Sequence, residues 1–102
     1  MSDTGRRKLR VGVAGLGRAF SVMLPTFIGD ARVVLVAAAD PRAQARARFA
    51  ADFAGNTYET VAQLCADPSV EVVYVATPHE YHAEHALLAA GAGKHLLIEK
   101  PI

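Results

Sequence analysis

Three predominantly apolar runs constrain the fold of this chain more than any other feature of its sequence. They occupy residues 9–14, 32–39 and 70–76, and the second continues as Val-Val-Leu-Val-Ala-Ala-Ala after a single arginine. Runs in which apolar residues do not alternate with polar ones are typical of strands buried on both faces of a parallel sheet. A shorter run at residues 95–98 predicts a further strand.

Segments with helix signals separate these strands. Helices are predicted over residues 19–28, 41–53, 60–66 and 80–90, and residues 57–58 are predicted as a very short strand. Pro25 predicts a kink or a split in the first helix, Pro41 suits the first position of the second, and Gly91 is expected to cap the last. The last helix is expected to pack through Tyr81, Ala83, Ala86, Leu87 and Ala90.

The alternation of strand and helix predicts the fold class. It is typical of an α/β, Rossmann-like, doubly wound parallel sheet with right-handed crossovers and helices on both faces. One domain is expected over residues 8–102, after a flexible tail at residues 1–7. Ligands of such sheets collect at the carboxyl ends of the strands, near the point where the strand order reverses.

Charge and composition exclude several classes of function. A net charge of +1 gives no field that would attract nucleic acid or a membrane surface, and no apolar run approaches the length of about 20 residues that crosses a bilayer. Cys65 is the only cysteine, which excludes a disulfide framework and indicates a reducing, cytoplasmic location. Its apolar neighbours, Val61 and Leu64, favour a buried structural thiol over a nucleophile.

The segment Gly15-Leu16-Gly17 follows the first strand and opens the first helix. Glycines let the backbone turn sharply and approach a ligand closely, and the free amides of Arg18 and Ala19 would point back at the turn. Together with the positive end of the helix dipole, these amides predict a pyrophosphate site. Phe20 stands where the dinucleotide fingerprint has its third glycine, so the motif alone also fits an ordinary strand-to-helix turn.

Asp40 comes 23 residues after Gly17, at the end of the second strand. A carboxylate at about this distance from the glycine turn accepts hydrogen bonds from the adenosine ribose and repels a 2′-phosphate, so it favours NAD. Arg42 leaves NADP possible, because an arginine just past the strand can accommodate the 2′-phosphate. Asp40 before a proline also suits a helix N-cap, a role that does not exclude ribose binding.

His79, His82 and His85 follow Thr77-Pro78 at intervals of three residues. Histidines three or four residues apart on a helix can bind zinc. His79 precedes the helix, however, and no carboxylate or cysteine completes a ligand set, so no metal site is predicted. His79 and His82 are expected to cap the helix or contact the cofactor, and His85 is expected to be a residue of the helix surface.

The segment Glu99-Lys100-Pro101 ends the last predicted strand. It therefore falls on the edge of the sheet that carries the glycine turn, Asp40 and Thr77. A lysine at this edge lies beside the ligand crevice, where it can relay a proton or orient a substrate hydroxyl. A lone lysine that ends a strand is ordinarily a solvated residue, and only its neighbours at the same edge favour the functional interpretation.

These residues, in this order and spacing, resemble the N-terminal domain of the glucose–fructose oxidoreductase/inositol dehydrogenase/rhizopine-catabolism family (Gfo/Idh/MocA). The resemblance covers nearly the whole chain from Leu9, and its most specific parts are Thr-Pro-x-x-x-His and Glu-Lys-Pro. It implies that Lys100 lies beside the nicotinamide and takes part in catalysis. It also implies that further residues of both motifs line the cofactor site, namely Thr77, Pro78, His79, His82 and Glu99.

Two positions depart from the family pattern. Phe20 replaces the usual small third residue of the turn, and His79 stands where the family more often has asparagine. Within the family, the segments around the glycine turn and Thr77 most resemble those of dehydrogenases of the 4,5-dihydroxyphthalate type.

The resemblance implies an activity and a larger protein. The activity is that of an NAD(P)-dependent dehydrogenase that transfers hydride to or from a small molecule, which is a secondary alcohol, a cyclic diol or a sugar-like substrate. The alternative is a dinucleotide-binding or sensing module without chemistry. Family members continue after Glu-Lys-Pro with the last strands of this domain and a second, substrate-binding domain, through which they usually form homo-oligomers. The 102-residue chain is therefore expected to be a truncated Rossmann-like domain that does not turn over substrate alone.

Overall fold

The computed structural model describes residues 8–98, and the strands among them form one parallel sheet. These strands are β1 (Leu9–Ala14), β2 (Val33–Ala39), β3 (Asn56–Tyr58), β4 (Val72–Val75) and β5 (His95–Ile98). Their spatial order is β3-β2-β1-β4-β5, and each neighbouring pair is parallel. The predicted doubly wound, Rossmann-like sheet is confirmed, with the reversal of strand order between β1 and β4.

The helices are α1 (Arg18–Gly29), α2 (Ala43–Phe53), α3 (Val61–Cys65) and α4 (His82–Gly91), and a short 3₁₀ turn at His79–Tyr81 precedes α4. Helix α1 is not split at Pro25, because Phe20 and Phe27 are buried on either side of the proline and hold the helix on the sheet. Pro41 is not the first residue of α2. Arg42 is the N-cap of α2, and the Asp40 carboxylate accepts the Arg42 main-chain N–H in a turn that precedes the helix.

Helix α4 differs from its prediction in its packing face and in its end. Leu87 and Tyr81 are 73% and 45% exposed, whereas Ala89 is fully buried. The 3₁₀ turn moves the start of the α-helix to His82, and this shift rotates the apolar face. Gly91 remains inside the helix; the left-handed conformation that ends it is at Gly93, with φ +78°. The side chains that face inward or lie half-buried are His82, His85, Ala86, Leu88 and Ala89.

Each face of the sheet carries its own core. Leu64 of α3 and Ala89 of α4 pack with β-strand valines on one face, together with Cys65. Cys65 is buried, as predicted, and burial raises the pKa of its thiol. Phe27 of α1 and Phe49 of α2 pack on the other face.

Phe20 has a structural role that the sequence motif does not reveal. Its side chain is 7% exposed and packs between α1 and α2, with its ring centroid 6.4 Å from that of Phe49. An aromatic side chain therefore fills the space between α1 and its neighbour, where the dinucleotide fingerprint has a glycine.

Asp67 joins the loop between α3 and β4 to strand β3. Its carboxylate accepts hydrogen bonds from Asn56 Nδ2 at 3.1 Å and from the Tyr58 hydroxyl at 2.8 Å. The Ser69 N–H and hydroxyl donate to its other oxygen at 2.8 and 2.7 Å. Lys94 Nζ donates to the main-chain carbonyl of Asp67 at 2.9 Å. Asp67 is only 4% exposed, and these hydrogen bonds satisfy its buried carboxylate and fix the loop.

Candidate functional site

A cavity of about 950 Å³ opens at the carboxyl edge of the sheet. It lies where the strand order reverses, which is where ligands of open α/β sheets bind. Its volume is at the upper end of the range for small-molecule and cofactor sites. The structure brings most of the predicted site residues to its wall: Gly15, Gly17, Arg18, Ala19, Asp40, Arg42, Thr77, Pro78, His79 and His82.

The two glycines of the turn have different surroundings. Gly15 has φ +97°, and a Cβ on it would lie 2.9 Å from Cγ2 of Thr77. Its N–H donates to the Ala39 carbonyl at 2.9 Å, which ties the start of the turn to the end of the neighbouring strand β2. A Cβ on Gly17 would contact nothing closer than Arg42 Nη2 at 4.0 Å. Gly15 is therefore required by the fold, whereas Gly17 leaves open space on the cavity side of the turn.

The N-terminus of α1 faces this cavity without a side-chain cap. Gly17 is the N-cap residue. Among residues 8–98, no side chain caps the helix, and the first turn contains no acidic residue. The first amides of a helix and the positive end of its dipole form a site for an anion. Arg18 is exposed at the same position and adds a positive charge. These donors fit a pyrophosphate group.

Asp40 is buried, and its carboxylate joins two parts of the cavity wall. One oxygen accepts the Leu16 N–H of the glycine turn at 2.9 Å and Arg42 Nη2 at 3.1 Å. The other accepts the N–H and the Nε–H of Arg42, both at 2.9 Å. Burial raises the pKa of Asp40, but these hydrogen bonds and the Arg42 charge outweigh burial and hold the pKa below its ordinary value. Asp40 is therefore ionised at neutral pH, and it is not the N-cap of α2.

Leu16 contributes to this site through its backbone. It does not line the cavity through its side chain, which packs against the core beside Phe20. Arg46, which the motifs do not mark, donates from Nη1 to the carbonyls of Asp40 and Pro41 at 2.9 and 3.0 Å. Its position four residues after Arg42 on α2 is the only signal of this role in the sequence.

His85 is not a residue of the exposed helix surface. Its Nδ1 lies 2.7 Å from the Thr77 hydroxyl, and it lines the cavity. His82 Nε2 donates to the Thr77 carbonyl at 2.7 Å. His79 packs edge-on against His82, with ring centroids 5.2 Å apart. His82 and His85 thus both contact Thr77, and the prediction that His85 lies on the helix surface is wrong.

A family model described as an oxidoreductase family with an NAD-binding Rossmann fold matches residues 9–102. The chain belongs to the Gfo/Idh/MocA family. It is the NAD(P)-binding Rossmann domain of that family, since the match spans all the elements described above.

Several Gfo/Idh/MocA relatives are similar over nearly the whole chain. The 1-carboxy-3-chloro-3,4-dihydroxycyclohexa-1,5-diene dehydrogenase of Comamonas testosteroni is 53% identical over 92% of this chain, which corresponds to 24% of that protein. A 3-ketoreductase from Actinomadura kijaniata, solved with NADP and TDP-benzene, is 34% identical with a TM-score of 0.86, over 93% of this chain and 30% of that one. A scyllo-inositol dehydrogenase from Lactobacillus casei, 21% identical with a TM-score of 0.85 over 95% of this chain and 29% of that one, shows the same fold. The chain spans about a quarter of the length of its curated relatives.

Glu99, Lys100 and Pro101 lie outside the described residues. Strand β5 ends at Ile98, which pairs with Val75 one residue before the cavity-lining Ala76. The described part of β5 therefore reaches the edge of the sheet where the cavity opens.

Within residues 8–98, no three histidine, cysteine, aspartate or glutamate side chains are grouped so that they could hold a metal ion. No helix in this range has the length and apolar character needed to cross a membrane.

Proposed function

We propose that the protein is an NAD(P)-dependent dehydrogenase and that the cavity at the carboxyl edge of the sheet holds its cofactor. The observation that carries the proposal is that one cavity joins the glycine turn, the uncapped α1 terminus, Asp40 and Thr77-Pro78 at the switch point of the sheet. In this proposal the amides of Arg18 and Ala19 bind the pyrophosphate, and the glycine turn with Leu16 and Gly17 lets it approach.

The proposed ribose site consists of Asp40 and Arg42. Asp40 is an ionised acceptor for the ribose hydroxyls and favours NAD over NADP, because it repels a 2′-phosphate. Arg42 is the residue that would favour NADP. Its side chain is 62% exposed and contacts the Asp40 carboxylate. The NAD preference predicts that NADH binds more tightly than NADPH, and Arg42→Ala should weaken NADPH binding more than NADH binding.

At the other end of the cavity, Thr77, Pro78, His79, His82 and Glu99 are proposed to line the nicotinamide half of the site. The bound nicotinamide supplies the acceptor or donor of the hydride. Lys100 is proposed to hold or remove the proton of the substrate hydroxyl whose carbon exchanges that hydride. A lysine can do so when its pKa is lowered toward neutral pH at a partly desolvated site.

The proposed substrate class is a cyclic diol, which is oxidised at one secondary alcohol. It is supported by the relative from Comamonas testosteroni, whose name is that of a dihydroxycyclohexadiene carboxylate dehydrogenase and which is 53% identical. Levoglucosan dehydrogenase, at 34% identity, supports a sugar-like substrate as the second possibility. The non-catalytic dinucleotide-binding module receives less support, because the relatives include several proteins named as dehydrogenases and reductases.

The cofactor proposal is tested by NADH fluorescence titration of the full-length protein and two glycine variants. Gly17→Ala puts a methyl group into open space beside the turn and should weaken NADH binding by at least about tenfold without unfolding the protein. Gly91→Ala, which also meets nothing within 4 Å but lies far along α4, should bind as the wild type does. Absence of NADH and NADPH binding at millimolar concentration in the wild type would refute the proposal.

Catalysis is tested separately, with Lys100→Ala and Lys100→Arg. Lys100→Ala should retain NADH affinity and lose turnover of a cyclic diol, and Lys100→Arg should fail to restore it because arginine does not lose its proton. Unchanged turnover in Lys100→Ala would exclude Lys100 as the catalytic residue and leave the binding proposal intact.

A further inference from the structure

Thr77 is held from three sides at the end of β4. Its methyl group lies against Gly15, where a Cβ on the glycine would come within 2.9 Å of Cγ2. Its carbonyl accepts a hydrogen bond from His82 Nε2, and its hydroxyl lies 2.7 Å from His85 Nδ1. Thr77 therefore connects the glycine turn to two histidines of α4.

The second ring nitrogen of His85, Nε2, is not used in this contact. His85 is half-buried, and Tyr81 stacks on its ring with centroids 5.8 Å apart and planes at 21°. Among residues 8–98, its Nε2 has no hydrogen-bond partner, and the residue lines the cavity. This arrangement suits a neutral imidazole that carries its proton on Nε2 and accepts with Nδ1.

We propose that neutral His85 is a positioning residue that sets the direction of the Thr77 hydroxyl toward the bound dinucleotide. With Nδ1 as acceptor, the Thr77 O–H donates to His85, and the lone pairs of Oγ1 remain available to an N–H or O–H donor of NAD(P)H. When His85 is protonated, Nδ1 becomes a donor, and the Thr77 hydroxyl must rotate its proton away from His85. The hydroxyl then presents a donor where the ligand needs an acceptor. This inference rests on the proposed function of the cavity.

The charges around His85 are consistent with a neutral ring at physiological pH. Burial lowers the pKa of His85, the Glu84 carboxylate next to it on α4 opposes this, and His82 adds to it. The first turn of α4 places both histidines at the positive end of the helix dipole, which also disfavours the imidazolium form. The other acidic side chains that line the same cavity are Glu59, just before α3, and Asp40, just after β2.

Two substitutions of His85 distinguish the effect of losing its hydrogen bond to Thr77 from the effect of losing its titratable group. Asparagine places an amide oxygen near the position of Nδ1 and does not titrate, whereas leucine removes the acceptor. In the full-length protein at pH 7.5, His85→Leu should raise the Kd for NADH about fivefold, the loss of one hydrogen bond, and His85→Asn should stay within about twofold of the wild type. Thr77→Val should weaken binding similarly, and combining it with His85→Leu should add little, since both remove the same interaction.

The pH dependence distinguishes a positioning role from a structural one. For the wild type, the Kd for NADH should be constant above pH 7 and rise as the pH falls to 5.5. The rise should be clearly smaller for His85→Asn, in which His79 and His82 are the histidines that remain at the cavity wall. His95→Asn changes an exposed histidine on β5 and should retain the wild-type profile. A His85→Asn profile that follows the wild type would overturn the inference.

The ring of His85 can also be observed without the cofactor. Nitrogen-15 NMR of the protein at pH 7.5 should show His85 neutral with its proton on Nε2, and a proton on Nδ1 would contradict the assignment. If the wild type does not bind NADH at all, the proposed function fails. If it binds NADH and His85→Leu and Thr77→Val bind equally well, only the role of His85 fails.

Discussion

The carboxylate of Asp67 should contribute to stability in a way that disappears in acid. Four hydrogen bonds reach it, and Asp67→Asn keeps its shape while it removes the charge and turns one acceptor into a donor. In this variant, the N–H and the hydroxyl of Ser69 require the side-chain oxygen of the asparagine as their acceptor. The new amide group therefore faces Asn56 and Tyr58, where it meets donors that must reorient.

The magnitude follows from the pKa. Burial raises the pKa of Asp67, but the hydrogen bonds from Ser69, Tyr58 and Asn56 outweigh burial and lower it from 3.8 to about 2. A depressed carboxyl pKa stabilises the folded state above the unfolded pKa, and this contribution is lost as the pH falls through the folded value. A shift of this size is worth roughly 2 kcal/mol, which is present at pH 7 and disappears between about pH 4 and pH 2.

The assay is urea unfolding of the wild type and Asp67→Asn, followed by circular dichroism from pH 7 to pH 2. Other carboxylates titrate in both proteins, so the informative quantity is the difference in unfolding free energy at each pH. Asp52→Asn is a matched control, because Asp52 is 54% exposed and its ion pair with Arg48 spans 3.9 Å, and it should change stability by less than about 0.5 kcal/mol. The reasoning is refuted if Asp67→Asn costs no more than Asp52→Asn at pH 7, or if its cost stays constant down to pH 2.

Three further predictions concern the core and a helix cap. Phe20→Ala should destabilise the protein by about 3 kcal/mol in thermal or urea unfolding, because it leaves a cavity beside Phe49; a cost below about 1 kcal/mol would contradict that packing. Cys65 should react with a thiol reagent at pH 8 only on unfolding, since burial raises its pKa and blocks access; rapid reaction of the folded protein would count against this. Thr60→Ala should cost about 1 kcal/mol, because Thr60 and Gln63 form a reciprocal capping box at α3, and Thr60→Ser should restore most of it. Equal stability of the alanine and serine variants would show that the box does not contribute.

Much of the fold follows from local patterns in the sequence. Continuous apolar runs mark β2 and β4 because both faces of these strands are covered, and this property depends on few distant contacts. The same logic places Gly15, Asp40 and Thr77 at one edge, since parallel strands end on the same side of their sheet. The juxtaposition of these residues around one cavity was therefore predictable.

Other features could not be predicted from the sequence, because they depend on contacts between distant residues or on which face a short helix turns toward the sheet. The inward position of His85 follows from the 3₁₀ turn that delays the start of α4, and no local pattern marks this turn. Asp67 looks like a residue of an ordinary Asp-Pro turn until β3 brings Asn56 and Tyr58 to it. Phe20 breaks a familiar motif, and only the position of α2 explains it.

The hydrogen bond from the Leu16 amide to the Asp40 carboxylate has a thermodynamic consequence. It joins the proposed pyrophosphate-binding loop to the proposed ribose-binding residue. Arg46 also fixes the backbone of Asp40 by donating a hydrogen bond to its carbonyl. The loop after β1 and the loop after β2 are thus preorganised. A ligand that contacts both loops therefore causes little further loss of backbone conformational entropy when it binds. Cofactor affinity should then depend on the contacts themselves and not on the cost of ordering the site, and calorimetry should find a correspondingly small entropic penalty.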